Sequence, residues 1–333
     1  MNLLTRRHFL EKVSALAAGN FIASAASSAL ANDAPEPHIA FPSAPSDRIA
    51  IASYPFRAYI ESPGNRDRNP GLPGMDLLQF PAEVVKKFGV HNIEPYSRHF
   101  RSLDSAYLAQ FREALAKANT KVVNIAVSLQ ESFYDADPAT RANAIASAKK
   151  WVEVAVGIGS PSIRAHIHTA ANSRPNLQRT VDALREVVKY SAGKNVIVTL
   201  ENDDLVSEDA FFLVNVIESV NHPYLRALPD FANSMLTGDA DFNYRALQAM
   251  FQHAYNICHV KDGESRRSRQ AVQYRPAEIL SDPQVQRLPR LLLYGIRRPR
   301  RPLRRHHKTS RANHPLSLSE SASACTKSRA KSP

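Results

Sequence analysis

From residue 48 to 263, short apolar runs rich in β-branched residues alternate with longer segments of helical period, and this alternation constrains the fold more than any other feature of the chain. The spacing predicts strands over Ile49–Ser53, Asn92–Glu94, Val122–Val127, Ser162–His166, Val196–Leu200, Leu225–Leu228 and Asn256–Val260. Between them it predicts helices over Asp76–Phe88, Ser105–Ala118, Pro138–Val156, Leu177–Ser191, Ser207–Val220 and Phe242–His253. Gly89 is the expected stop of the first helix, and Ser207 the expected N-cap of the fifth.

Strand and helix in strict alternation argue for parallel βα units. No Gly-x-Gly-x-x-Gly follows the first strand, and neither a Walker-type Gly-Lys-Ser/Thr loop nor a Gly-x-Ser-x-Gly elbow occurs. An open dinucleotide-binding sheet therefore lacks its fingerprint. The fold class expected is α/β, a (β/α)8 TIM barrel, which needs roughly 250 residues and fits within a chain of 333. Only seven strands and six helices are counted, so the barrel reads as incomplete, with helix seven, strand eight and helix eight missing.

Polar residues gather at the predicted C-terminal strand ends, where such barrels carry their chemistry. Glu94 ends the second strand, His166 and His168 the fourth, and Glu201 closes the fifth. Asp230 ends the sixth, with Asn233 just beyond, and His259 lies in the seventh. A charged group at the end of an apolar strand is costly to bury unless it is paired or metal-bound. Taken singly, each reads equally well as a salt-bridged carboxylate or a satisfied core histidine. Together, two carboxylates and an imidazole on successive strands make a divalent site suited to Mn²⁺, Mg²⁺, Co²⁺ or Zn²⁺. Arg98 and His99 read either as residues that reach a substrate or as solvated loop residues, the second being preferred.

At these positions the chain resembles the sugar phosphate isomerase/epimerase superfamily, the xylose-isomerase-like TIM barrels. The matching pieces are Thr-Leu-Glu-Asn at 199–202, Pro-Asp-Phe-Ala-Asn at 229–233 and His-Val-Lys-Asp at 259–262. The resemblance implies Glu201, Asp230 and His259 as metal ligands and Glu201 as an acid/base. It implies a substrate-binding set of His166, Asn233, Glu94 and Lys261. It also implies a sugar or sugar derivative as substrate, isomerised or epimerised by proton transfer through an enediolate. A sugar-binding barrel without turnover, and an inactive product of a frameshifted gene, remain as alternatives. The family's fourth ligand, a glutamate on strand eight in a segment such as Ser-Met-Glu, has no counterpart in the sequence.

Both ends of the chain differ from this body. Arg6 and Arg7 are followed by a mildly apolar stretch over 13–26 and by Ala29-Leu30-Ala31. That is the layout of a twin-arginine secretory signal over residues 1–31, cleaved after Ala31. It implies the twin-arginine export machinery as a partner and a periplasmic or extracellular location. The stretch is too weakly apolar for a stable membrane span. Residues 32–47 read as a linker and 48–263 as the barrel.

The net charge of +12 belongs to the other end. Residues 264–333 hold 17 Lys and Arg against 4 Asp and Glu, whereas residues 1–263 hold 26 against 27. The body is neutral, so nucleic acid is not indicated as its partner. Past Gly263 only Gly295 remains of the glycines, and Arg, Pro, Leu and Ser dominate. Back-translated with free codon choice and read one nucleotide later, Gln286–Thr309 permits a run Phe-Phe-Ser-Met-Glu-Phe that carries the missing glutamate. The tail is therefore read as an out-of-frame translation. Sequencing the gene across codons 255–333 should reveal a single-base insertion or deletion whose repair restores Ser-Met-Glu. An intact frame, shared by related genes, would make the tail genuine.

Overall fold

A computed structural model describes residues 35–42 and 44–260, together with the backbone of three later strands. The signal-peptide segment 1–31 and Lys261 lie outside the described residues, as do most of the tail and the first part of the linker. Among the described residues no helix is long and apolar enough to cross a membrane.

The alternation read from the sequence is present. The strands are β1 (Ile49–Ala52), β2 (Asn92–Glu94), β3 (Lys121–Val122), β4 (Ile125–Val127), β5 (Ser162–Ala165), β6 (Ile197–Glu201), β7 (Leu225–Leu228), β8 (Ile257–His259), β9 (Gly263–Ser265), β10 (Ala271–Gln273) and β11 (Leu292–Tyr294). The helices are α1 (Phe80–Phe88), α2 (Ser105–Lys117), α3 (Pro138–Ile158), α4 (Leu177–Ala192), α5 (Ala210–Val220) and α6 (Ala240–Phe251). Five of the six begin behind a capping side chain. Asp104, Asp137, Asn176, Asp209 and Asp239 each accept from backbone N–H groups of the first turn that would otherwise lack partners. The N-cap of α5 is thus Asp209 rather than Ser207, whose own N–H is held by Asp204. Gly89 ends α1 in the left-handed region at φ 64°, as expected of a glycine stop.

Neighbouring strands run parallel around the ring β1, β2, β3–β4, β5, β6, β7. The predicted third strand is broken at Val123 and Asn124, so that β3 pairs with β2 and β4 with β5. Parallel bridges from Ala227 to Ala254 and from Asp230 to His259 join β7 to β8. The expected gap at strand eight is corrected here. Leu292–Tyr294 lies parallel between β8 and β1, with Leu293 opposite both Cys258 and Ile49. The slot asks only for a short extended apolar run that offers backbone N–H and C=O groups on both sides, and Leu-Leu-Tyr meets that requirement. The expectation rested on a missing glutamate, and backbone pairing does not depend on it. The residue after β11 is Gly295, which brings no ligand. The expected loss of helices seven and eight concerns residues outside the described ones. A small antiparallel pair, β9 with β10, follows β8.

Alternation along each strand sorts the side chains. Ile51, Ile93, Ile163, Ala165, Val198, Leu200, Leu225 and Ala227 belong to the large core between strands and helices. Their neighbours one residue away face the other side of the sheet, the barrel interior. Ala50, Ala52, Val123, Leu228 and Ile257 form a small apolar cluster there. Asn92, Glu94, Ser162, Arg164, Thr199, Glu201 and His259 share that inner phase and are all buried.

One loop histidine departs from the sequence reading. His99 is buried, its Nδ1 2.8 Å from Ser53 Oγ, which also accepts from the backbone of Tyr96. A 3-10 turn at Ser97–His99 folds the ring inward beneath the barrel mouth, so it is not solvated. Burial, with Arg57 adding to it, pushes the imidazole down to about 3. Its folded pKa is depressed, so the stability tied to its neutral form is present above about pH 6.5 and lost as pH falls toward 3. Urea unfolding at stepped pH should therefore show wild type losing up to about 1.4 kcal/mol per pH unit more than His99→Asn across that window. Parallel profiles would contradict the assignment.

Candidate active site

The inner-facing polar residues meet at the C-terminal end of the barrel, around His259. Its Nδ1 lies 2.7 Å from Glu201 Oε1 and 3.9 Å from Asp230 Oδ2. Its Nε2 lies 3.1 Å from Glu94 Oε2. The three ligand atoms of Glu201, Asp230 and His259 fall within 4.8 Å of one another, and all three residues are buried. Burial alone would lower the imidazole pKa, but the Glu201 and Glu94 carboxylates outweigh it and push the ring up to about 10. A cluster of acceptors around one point demands a positive charge. The donor set, two carboxylate oxygens and an imidazole nitrogen, fits a divalent cation in place of the proton.

Each carboxylate is held. Asp230 Oδ1 accepts from the backbone N–H groups of Ala232 and Asn233, both at 2.9 Å, which leaves Oδ2 as the atom directed toward His259. Asn202 fixes the backbone at Asp230 on both sides, its Oδ1 accepting from Asp230 N and its Nδ2 donating to Asp230 O. Glu201 Oε2 faces Arg164 Nε at 3.2 Å, and Asn233 Nδ2 lies 3.4 Å from Glu201 Oε1.

Arg164 stands on β5, two residues before His166 on the same inner phase. Burial disfavours its charge, but the carboxylates of Glu201 and Asp203 more than compensate and keep it protonated. His166 pairs through Nδ1 with Glu208 Oε2 at 2.8 Å, while Glu208 Oε1 accepts from Ile167 N. Burial opposes charge on His166, but Glu208 wins and raises its pKa. His166, Asp203 and Glu208 also fall within 4.8 Å of one another, a second grouping of metal-ligand type. Arg164 Nη1 already sits 3.7 Å from Asp203 Oδ2, so a fixed guanidinium occupies the role that a second cation would have there.

The structure thus brings together Glu201, Asp230, His259, Asn233 and Glu94, and places His166 beside them through Arg164 and Asp203. Glu94 lies behind the His259 ring with about 1% of its surface exposed. His168 is exposed on the loop after β5. Sequence reasoning passed over Arg164, Glu208, Asn124 and Asn256. A charged residue inside the apolar run Ser-Ile-Arg-Ala was a signal available for Arg164. Nothing local distinguishes Glu208 from the acidic loop around it.

Comparison with known proteins gives the same architecture. The sequence model of the xylose isomerase-like TIM barrels matches residues 82–279, more than half of the chain. The fold is similar to a xylose isomerase domain protein from Planctomyces limnophilus, at 21% identity over 76% of this chain and 92% of that one, TM-score 0.55. It is similar to a probable 3-DHS dehydratase involved in petrobactin synthesis from Bacillus anthracis, at 16% identity over 76% and 93%, TM-score 0.54. It is also similar to a D-allulose 3-epimerase from a Methylomonas species, at 15% identity over 77% and 86%, TM-score 0.54. No protein of curated function matches the sequence.

Calorimetric titration with Mn²⁺ tests the donor set. One ion should bind per chain, and Glu201→Gln or Asp230→Asn should weaken it beyond the roughly 10–100-fold typical of losing an outer-sphere partner. Equal affinity in all three proteins would remove these residues from the ligand set.

Proposed function

The chain belongs to the xylose isomerase-like TIM barrel family, and from that premise we propose that it is a metal-dependent isomerase or epimerase of a sugar or sugar derivative. The observation that carries the reading is the buried convergence of Glu201, Asp230 and His259 at the C-terminal mouth. Glu201, Asp230 and His259 would hold a divalent ion there; Mn²⁺, Mg²⁺, Co²⁺ and Zn²⁺ all suit the set. Such an ion supplies electrostatic stabilisation of negative charge developing on substrate oxygen.

The chain's own groups do the rest. Glu201 takes the proton from the carbon next to the substrate carbonyl, giving an enediolate. Return of a proton to the neighbouring carbon, or to the other face of the same carbon, completes isomerisation or epimerisation. Arg164 on Glu201 Oε2 and Asn233 near Oε1 fix the direction of the carboxylate. His166, oriented by Glu208 through Nδ1, presents its other nitrogen as a hydrogen-bonding group for a substrate hydroxyl. Asn233 offers a second such contact. The twin-arginine pattern at Arg6-Arg7 supports action outside the cytoplasm, after export as a folded protein.

One observation favours a second reading, a barrel that binds a sugar without converting it. Gly295, not a glutamate, follows β11, so the chain brings no second carboxylate from the strand that closes the ring.

Incubation with ketohexoses and aldoses in D2O with Mn²⁺, followed by NMR, separates the two. The isomerase reading expects deuterium at a carbon next to the carbonyl and a new isomer, both reduced about 10²–10⁴-fold in Glu201→Gln. A sugar bound without exchange would establish the binding protein instead.

A further inference from the structure

Glu94 was grouped with the substrate-binding residues, yet the imidazole of His259 stands between it and Glu201. Its side chain is buried on the far side of that ring. Such a group carries the full cost of a buried charge unless it is paired and hydrogen-bonded, and the partners it has define a direction.

Those partners form a chain across the barrel interior. Asn256 Nδ2 donates to Ser162 Oγ at 2.9 Å, and Ser162 Oγ donates to Asn124 Oδ1 at 2.7 Å. Asn124 Nδ2 donates to Glu94 Oε2 at 2.9 Å. Asn124, Ser162 and Asn256 are wholly buried. They come from the break between β3 and β4, from β5, and from the residue preceding β8. The Asn124 amide is set by what faces it: its oxygen lies beside the Ser162 hydroxyl, which also reaches Val123 O at 3.1 Å, and its NH2 faces the Glu94 carboxylate, which accepts, so Glu94 Oε2 is an acceptor from both sides. The ring nitrogen on its other side, His259 Nε2, must then be the donor. With a cation in place of the ring's second proton, an imidazole that keeps its proton on Nε2 presents the Nδ1 lone pair, and Nδ1 is the atom that faces Glu201 and Asp230.

We infer that Glu94 is the positioning residue of the metal centre: with Asn124, Ser162 and Asn256 behind it, it holds His259 as the Nε2–H tautomer and so reserves Nδ1 for the cation. The inference rests on the proposed reading of Glu201, Asp230 and His259 as the metal-holding set. It assigns Glu94 no contact with substrate. It also gives a reason for the break after Val122, which turns Asn124 to reach the end of β2. A carboxylate behind a ligating histidine fixes ring orientation and raises the basicity of the ligand.

Two measurements on the full chain test it. Mn²⁺ titration should give a Kd raised about 10–100-fold in Glu94→Gln, because the amide oxygen can still accept from Asn124 and His259 but no longer carries the negative charge that raises the basicity of the ring. Glu94→Asp, which keeps the charge but withdraws it by one methylene, should lose less, and carries the test if Glu94→Gln does not fold. In the Zn²⁺-loaded protein, nitrogen-15 NMR of labelled histidine should show His259 protonated on Nε2 and metallated on Nδ1, with the Nε2 proton exchanging faster in either variant. A wild-type Kd in both variants, or a Zn²⁺-bound Nε2, would overturn the inference while leaving the metal site standing. If wild type itself takes up neither Mn²⁺ nor Zn²⁺, the metal reading fails and this inference falls with it.

Discussion

A closed parallel barrel forces every second residue of each strand into a space without bulk water, and whatever is polar there must find its partner inside the protein. Here the inner phase carries Asn92, Glu94, Ser162, Arg164, Thr199, Glu201 and His259, an unusually polar content set against the small apolar cluster of Ala50, Ala52, Val123, Leu228 and Ile257. The outer phase supplies the apolar core between strands and helices. The polar interior is tolerated because its members face one another. His259 is clasped by Glu201 and Glu94, Arg164 by Glu201 and Asp203, and His166 by Glu208.

Such networks are poor sources of stability, since taking charges out of water offsets much of their mutual attraction. Their effect is orientation. Two backbone N–H groups lock one oxygen of Asp230, and Arg164 and Asn233 approach different oxygens of Glu201. Three potential ligands are therefore set on rigid strand ends before any substrate arrives, the condition under which a proton transfer gains from pre-arranged electrostatics. Around this centre the mouth is divided. The His259 side carries the donors for a cation, while the Arg164–His166 side carries fixed positive charge and hydrogen-bonding groups.

Closure of the ring separates architecture from chemistry. Leu292–Tyr294 completes the ladder between β8 and β1 with backbone groups alone. Fold similarity to a dehydratase and to an epimerase at 15–16% identity makes the same point, because this barrel supports different reactions according to the side chains at its strand ends. At its strand ends this chain combines a three-residue donor set, a buried carboxylate behind its histidine, and a glycine after the closing strand.

The sequence by itself determined most of what depends on neighbours along the chain, although it set the N-cap of α5 at Ser207 where Asp209 stands. Period two and period 3.6 marked the strands and helices to within a few residues; Gly89 marked a helix end through its tolerance of positive φ; Glu201, Asp230 and His259 stood out as polar groups closing apolar runs. Local reading failed where the answer depended on residues far apart in sequence. It took His99 for a solvated residue because its partner, Ser53, is 46 positions away. It gave no sign of the pairing between Glu94 and His259, because nothing near residue 94 announces a histidine 165 positions later. It left the ring open because it looked for a glutamate where the ladder required only an extended backbone. Tertiary structure alone decided which carboxylate faces which nitrogen of His259. That choice is made by strand register and barrel closure, which bring the ends of β2, β6 and β8 around one ring.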